Sequence, residues 1–346
     1  MAKTVKLSDI AQKARVSTVT VSKALAGQKG VSLKMREEIK RIADEMGYVK
    51  SHGVSKEQNR KSYTFGIIVA ERYLEKNQSF YWQLYQDVSQ NAIHKNGFTI
   101  LEVITYEDEK GSFVPKIVSE QRVDAIIIMG AFKTDYAIFL KNNIKIPLIF
   151  MDTMDPSENG ESVVTDNMMG AYCMTNHLFE MGHSKIGFVG TRLATTSIDN
   201  RFFGYLKSLM EHGIESRKDW IIDDRDKEIG RCDLDKYFQL PMEMPTAFLC
   251  NCDLTASLLI RKLMKEGYQV PDDISVAGFD NFLCTQLIDI GITTYAINIK
   301  EMANKTVDLL ILKLENPQYY AGVSMIAGHF IKRESVKLLG TSIPFI

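Results

Sequence analysis

From Tyr63 onward, short runs of β-branched and aromatic residues alternate with longer amphipathic segments, and few architectures accept that alternation. TFGIIVA, FTILEVI, DAIIIMG, IPLIFMD, KIGFVG, PTAFLCN and ISVAGFD are each nearly continuous in Ile, Val, Phe and Leu, which predicts strands buried on both faces. The segments 81–95, 168–181, 201–212 and 254–266 have helical spacing, so the pattern is βαβ with right-handed crossovers. Ligands of such sheets lie just past the carboxyl ends of the strands. This directs attention to Asp152, residues 190–197, residues 251–253, Asp280 and Asn281.

The first 48 residues follow another grammar. Ile10, Ala11 and Ala14 share one face of a helix opened by Ser8 and Asp9, and Ser17 is placed to cap a second helix at once. Val16, Val21 and Leu25 then pack back on the first helix. Thr18, Val19, Ser22 and Lys23 are left facing solvent together. That is an odd place for a valine unless something apolar meets it: a thymine methyl would serve, with Lys23 reaching a guanine edge. Spacing alone fits a small amphipathic helix pair with no ligand equally well. Ser32 caps a third helix over 33–46, with Met35, Ile39, Ile42 and Met46 as its stripe and Gly47 at its end. Residues 49–62 are polar and aperiodic, a linker between a head at 1–48 and a body at 63–346.

Charge divides the chain in the same place. Residues 1–62 carry fourteen Lys and Arg against six Asp and Glu, although the whole chain nets −1. A basic head suits phosphate contact, and an acidic body argues against wrapping nucleic acid over the whole surface. The N-terminal stretch has no signal-like apolar core and no run is long enough to span a membrane, so a cytoplasmic protein without membrane partners is expected. Five cysteines form no paired framework. Cys250 and Cys252 read as strand-end packing rather than a metal site.

Catalytic motifs are missing: there is no GxSxG, P-loop or HExxH, and GFVGTR falls short of the dinucleotide fingerprint. His183 sits in a helix-to-strand turn with no acidic or nucleophilic neighbour and reads as a turn residue. Neither enzyme activity nor a cofactor is expected.

DIAQKARVSTVTVSKAL, SLKMREEIKRIADEMGY, VVTDNMMGAYCMTNHLFEMGHSKIGFVG, RFFGYL, VPDDISVAGFDN and GITTY occur in the order seen in the LacI/GalR family of bacterial transcription regulators, which the chain resembles along nearly all its length. The resemblance implies an α/β protein: a small all-α helix-turn-helix head on a two-lobed body with parallel sheets, like periplasmic sugar-binding proteins. One lobe would take 63–165 plus the crossover region after Thr293, the other 166–292 plus the end. It also implies a homodimer on double-stranded operator DNA and a small effector, a sugar, between the lobes. Thr18, Val19 and Lys23 match base-reading positions, and Ser17, Thr20 and Ser22 match residues that touch phosphate or support the helix. Asp152, Arg201 and Asp280 match charged residues that grip sugar hydroxyls, with Phe80 and Trp220 as candidate ring-stacking aromatics.

Departures from the family pattern carry their own expectations. Arg15 replaces the usual glycine of the helix-turn-helix bend, at a cost of about 1 kcal/mol if left-handed, and adds a candidate phosphate contact. In the linker, Glu57 holds the place of the minor-groove leucine, so little DNA kinking is expected. Cys252-Asp253 replaces Asn-Asp, with Asn251 facing away, and Ile297 replaces a glutamine. The expected function is a repressor of a carbohydrate-use operon. The alternatives are a sugar-sensing binding protein with weakened DNA function, or a regulator answering to a purine or other small molecule.

Overall fold

The computed structural model describes the chain except for residues 1–4, 26, 47, 49–60, 75–78, 228–229, 233, 283–287 and 340–346. The linker expectations, Glu57 included, and the expected helix stop at Gly47 lie outside the described residues. The chain divides into two compact units, Met1–Lys61 and Ser62–Ile346.

In the first unit, α1 (Leu7–Ala14), α2 (Thr18–Leu25) and α3 (Leu33–Glu45) enclose Ile10, Val21, Ala24, Ile39 and Ile42. The start of α1 differs from expectation. Asp9 sits at its third position and accepts the backbone N–H of Lys6 at 2.8 Å, so the helix begins at Leu7 and Ser8 lies inside it. Ser17 and Ser32 both cap as expected, accepting from the N–H groups of Thr20 (3.1 Å) and Met35 (3.3 Å).

The second unit begins with β1 (Tyr63–Ala70), α4 (Phe80–His94), β2 (Gly97–Ile104), the short α5 (Tyr106–Lys110) and α6 (Lys116–Ser119), β3 (Ala125–Met129), α7 (Thr134–Asn143), β4 (Leu148–Met151) and β5 (Ser162–Thr165). It continues with α8 (Asn167–Glu180), β6 (Ile186–Val189), α9 (Thr196–Glu211), β7 (Ile221–Ile222), α10 (Leu234–Tyr237), β8 (Ala247–Cys250), α11 (Asp253–Lys265), β9 (Ser275–Asp280) and β10 (Thr293–Ala296). It closes with α12 (Ile299–Glu315), β11 (Val323–Ile326) and β12 (His329–Ile331).

Two six-stranded sheets result, ordered β11-β5-β4-β3-β1-β2 and β12-β10-β9-β8-β6-β7. The pairings are parallel except that of β12 with β10. Each sheet is one lobe, and the chain passes between lobes at 165–167, 296–299 and 326–329. Because β10 bonds to β9 in the second lobe, the second passage falls after Ala296 rather than at Thr293. Ile297 lies buried in that passage.

The closest helix pairing in the second lobe depends on a missing side chain. A Cβ at Gly204 of α9 would lie 2.1 Å from the Met168 carbonyl oxygen and 2.9 Å from the Tyr172 nitrogen of α8, both backbone atoms that cannot step aside. Gly204→Ala should therefore cost about 1–3 kcal/mol in a denaturant titration.

Candidate functional site

In the head, Thr18, Val19, Ser22 and Lys23 are exposed together on α2, with Val19 60% accessible although apolar. Ser17 and Thr20 join through their hydroxyls at 2.9 Å, which pins the start of the helix. The bend before it is left-handed at Arg15, with φ 53° and ψ 41°. The N–H of Val16 returns to the Ala11 carbonyl at 3.1 Å, a turn a glycine would make without a Cβ penalty. Arg15→Gly should stabilise the head by about 1 kcal/mol, measurable as a higher midpoint of its unfolding transition.

In the body, the carboxyl ends of both sheets converge. Asp152 follows β4 in a left-handed conformation (φ 59°), its carboxylate accepting the Tyr81 hydroxyl at 2.9 Å through Oδ2. Oδ1 is buried with no hydrogen-bond partner among the described residues. Burial pushes this carboxyl up to about 6, against the pull of the Arg201 guanidinium and the Tyr81 hydrogen bond.

Arg201 comes from the other lobe. Thr195 caps α9, accepting the Ile198 N–H at 3.2 Å, so the helix starts before residue 201 and Arg201 lies on its buried side. Nε donates to Asn167 Oδ1 at 2.7 Å, Nη1 donates to the Asn251 carbonyl at 2.5 Å, and the guanidinium lies 4.0 Å above the Phe279 ring. Asp280 ends β9 with φ 90° and accepts the Phe282 N–H at 2.8 Å. Burial outweighs Arg201 and lifts its carboxyl to about 7. Two carboxyls from different lobes thus share one guanidinium.

Aromatic rings line one side. Tyr73 and Tyr81 lie 4.2 Å apart, and Phe80 meets Tyr81 edge-on at 5.3 Å and Phe282 of the second lobe at 6.4 Å. The lobes also approach where Gly230 faces Arg72: a Cβ there would lie 3.2 Å from the arginine Cδ.

Trp220 does not join this group. It precedes β7, at the amino end of the sheet, with its indole N–H given to the Glu243 carbonyl at 2.8 Å and the Arg217 guanidinium 4.3 Å over its ring. The carboxyl end of β7 instead supplies Asp224 and Arg225, an ion pair at 2.7 Å that the sequence reading missed because a two-residue strand has no visible period. Asp224 accepts from Thr191 N–H, Asn251 Nδ2 and Thr255 Oγ1, tying three strand-end loops together; against its burial, Arg225 first and then the Thr255 and Asn251 hydrogen bonds hold its carboxyl far below the usual carboxylate range. The side chain of Asn251 is spent there, while its carbonyl accepts from Arg201. Cys252 caps α11, its sulfur 3.4 Å from the Thr255 nitrogen. His183 is a turn residue: its ring nitrogens meet Thr246 Oγ1 at 3.0 Å and the Lys337 carbonyl at 3.2 Å, and burial pushes it down to about 4.

Two parallel-sheet lobes, crossed three times by one chain and meeting over a buried polar cluster, define a small-molecule receptor of the periplasmic-binding type, here following a helix-turn-helix head. Residues 175–336 match the periplasmic binding protein-like domain, and residues 6–51 match the bacterial regulatory proteins of the lacI family. The chain belongs to the LacI/GalR family of DNA-binding transcriptional regulators. It is 25% identical over 336 residues to the HTH-type transcriptional repressor PurR of Aliivibrio salmonicida, covering 96% of this chain and 99% of that one. It is 26% identical over 335 residues to the ribose operon repressor of Haemophilus influenzae, covering 95% and 98%. In fold it resembles the lac repressor dimer bound to operator and the anti-inducer ONPF, with TM-score 0.68, 21% identity and coverage of 97% and 100%.

Proposed function

We propose that the chain is an operator-binding repressor whose DNA affinity is set by a sugar held between its lobes. The observation that carries this reading is the convergence of Asp152, Arg201 and Asp280 from two lobes, with Asp152 Oδ1 buried and unpartnered among the described residues. Sugar hydroxyls both donate and accept, so one diol can give a hydrogen bond to that oxygen and take one from the guanidinium. Phe80 and Tyr81 supply a face for the ring, whereas Trp220 belongs to packing. Thr18, Val19 and Lys23 read bases, Ser17, Thr20 and Ser22 position the helix, and Arg15 meets phosphate. The name of the ribose operon repressor fits this class of effector.

Dimerisation through the first lobe is part of the reading. Ile93 of α4 and Phe98 of the edge strand β2 are more than 60% exposed, and with Tyr85, Ser89 and Thr99 they line a surface groove. Phe98→Glu should convert a dimer to a monomer in sedimentation velocity, while an unchanged sedimentation coefficient removes this surface from the account.

A second reading, a purine or nucleoside effector, is favoured by the aromatic wall of Tyr73, Phe80, Tyr81 and Phe282. Thermal shift with pentoses, hexoses, disaccharides, nucleosides and purine bases separates the two. A sugar at 100 times its dissociation constant adds about 2.7 kcal/mol and a clear rise in midpoint. A rise with nucleosides or purines alone would replace the sugar.

A further inference from the structure

Asp253 opens α11 with its side chain wholly buried; among the described residues neither carboxyl oxygen makes a full hydrogen bond, the nearest donors being the Thr294 hydroxyl and the Phe279 N–H. It lies against β9 so closely that a Cβ at Gly278 would be 1.9 Å from its Oδ1. Asp280 is two residues further along that strand, and side chains two apart leave a strand on the same face. The backbone N–H of Asp253 points to the Asp280 carboxylate, and the charge of Asp280 acts on the Asp253 carboxyl through space. The hydroxyl of Thr294, on neighbouring β10, is buried beside Asp253 and has no other partner among the described residues.

Little around them balances two negative charges. From α9, Arg201 faces Asp280 but is shared with Asp152, which Tyr81 of α4 also meets. Beyond β12, Arg333 gives its guanidinium to the Ile292 carbonyl and Asn281 Oδ1, and acts on Asp253 only through space; Glu334 beside it adds negative charge near Gly291. Arg225 is committed to Asp224, and Cys252 lies between that pair and Asp280. A buried ion without a partner costs several kcal/mol, whereas a carboxylic acid costs far less.

We propose that Asp253 is a positioning residue that stays protonated at neutral pH beside Asp280, so that the two acids carry between them the single charge that Arg201 meets. Resting on the reading of this cleft as the effector site, the pair links effector binding to a proton, because whatever Asp280 accepts from a ligand changes the charge that acts on Asp253. Burial pushes both carboxyls upward, joined at Asp253 by the charge of Asp280 and at Asp280 by that of Asp152, and it takes Asp253 well above the ordinary carboxylate range. An acid raised by folding leaves stability greatest below its unfolded value. Stability then falls as pH climbs from about 4 through the raised value near 7 and beyond.

The infrared spectrum of the full-length protein at pH 7.5, without ligand, tests this. A carboxylic-acid carbonyl band worth one group per chain is expected in the native protein, absent in Asp253→Asn; a native protein without the band, or a variant that keeps it, overturns the proposal. The native thermal midpoint should drop by roughly 5 °C from pH 5.5 to 8.5. Asp253→Asn, which mimics the neutral acid, should flatten that slope and exceed the native midpoint at pH 8.5, while Asp253→Leu should lie below it throughout. Parallel native and Asn profiles overturn the proposal, and if the Asn variant does not fold the native band decides alone. Neither measurement uses an effector, so a failed sugar screen and a failed proton pair remain distinguishable.

Discussion

Arg201→Met should lower the stability of the body by about 3–5 kcal/mol, a fall in midpoint on the order of 10 °C, and should abolish any effector response. The guanidinium is the shared counter-charge of Asp152 and Asp280, and it also satisfies Asn167 Oδ1 and the Asn251 carbonyl. A methionine fills much of the volume and leaves two carboxyls facing each other without a cation. The loss should depend on pH with a definite sign. Below about pH 5 both carboxyls are protonated, little charge is left unbalanced and the variant approaches the native protein. The gap widens through pH 6 and 7, where Asp152 and Asp280 ionise. Chemical denaturation at pH 5 and pH 8 checks it, and equal losses at the two values would show that Arg201 acts by packing alone.

Lys23→Ala should weaken operator binding by about 1–3 kcal/mol, roughly 5- to 150-fold, with no change in the stability of the head. Lys23 is exposed on α2 beside Val19, so its removal disturbs no core residue. Salt dependence separates its two modes of contact. A lysine on phosphate lowers the slope of log affinity against log salt by about 0.9, while a lysine on a guanine edge leaves the slope nearer its native value and relaxes preference at one base pair. Titrations at several salt concentrations, on native and single-base-changed operators, supply both readings.

What the sequence disclosed depended on burial together with apolar composition: β5 (SVVT) and β10 (TTYA) are buried throughout, but their Ser and Thr broke the apolar run. Strands β1, β3, β4, β6, β8 and β9 are covered on both faces, and their runs of Ile, Val and Phe announced them; β2 carries a run as long. The residues of β11 alternate between exposed and half-buried, β12 is an edge strand and β7 has two residues, so none left a readable pattern. The Trp220 error follows directly. Trp220 was named as a ring-stacking aromatic by residue type, and with β7 unread nothing showed that it precedes that strand, whose carboxyl end carries Asp224 and Arg225. Asp152 and Asp280 were legible from strand-end chemistry and Arg201 from resemblance. Tyr81, adjacent to Phe80, was not, because its role depends on a hydroxyl reaching an aspartate 71 residues away. The neutral state of Asp253 was invisible for a similar reason: it depends on Gly278 having no side chain.

Operator affinity measured with and without a bound sugar, in the native protein and in Asp152→Asn, tests the central claim most directly. A sugar identified by thermal shift should change native operator affinity by about 5- to 150-fold, the range that a coupling of 1–3 kcal/mol supports. Asp152→Asn should retain operator binding and lose that change, because the amide puts a donor where the buried Oδ1 has to accept. A native protein whose operator affinity ignores every cleft ligand, or a variant that responds as the native protein does, would contradict the account.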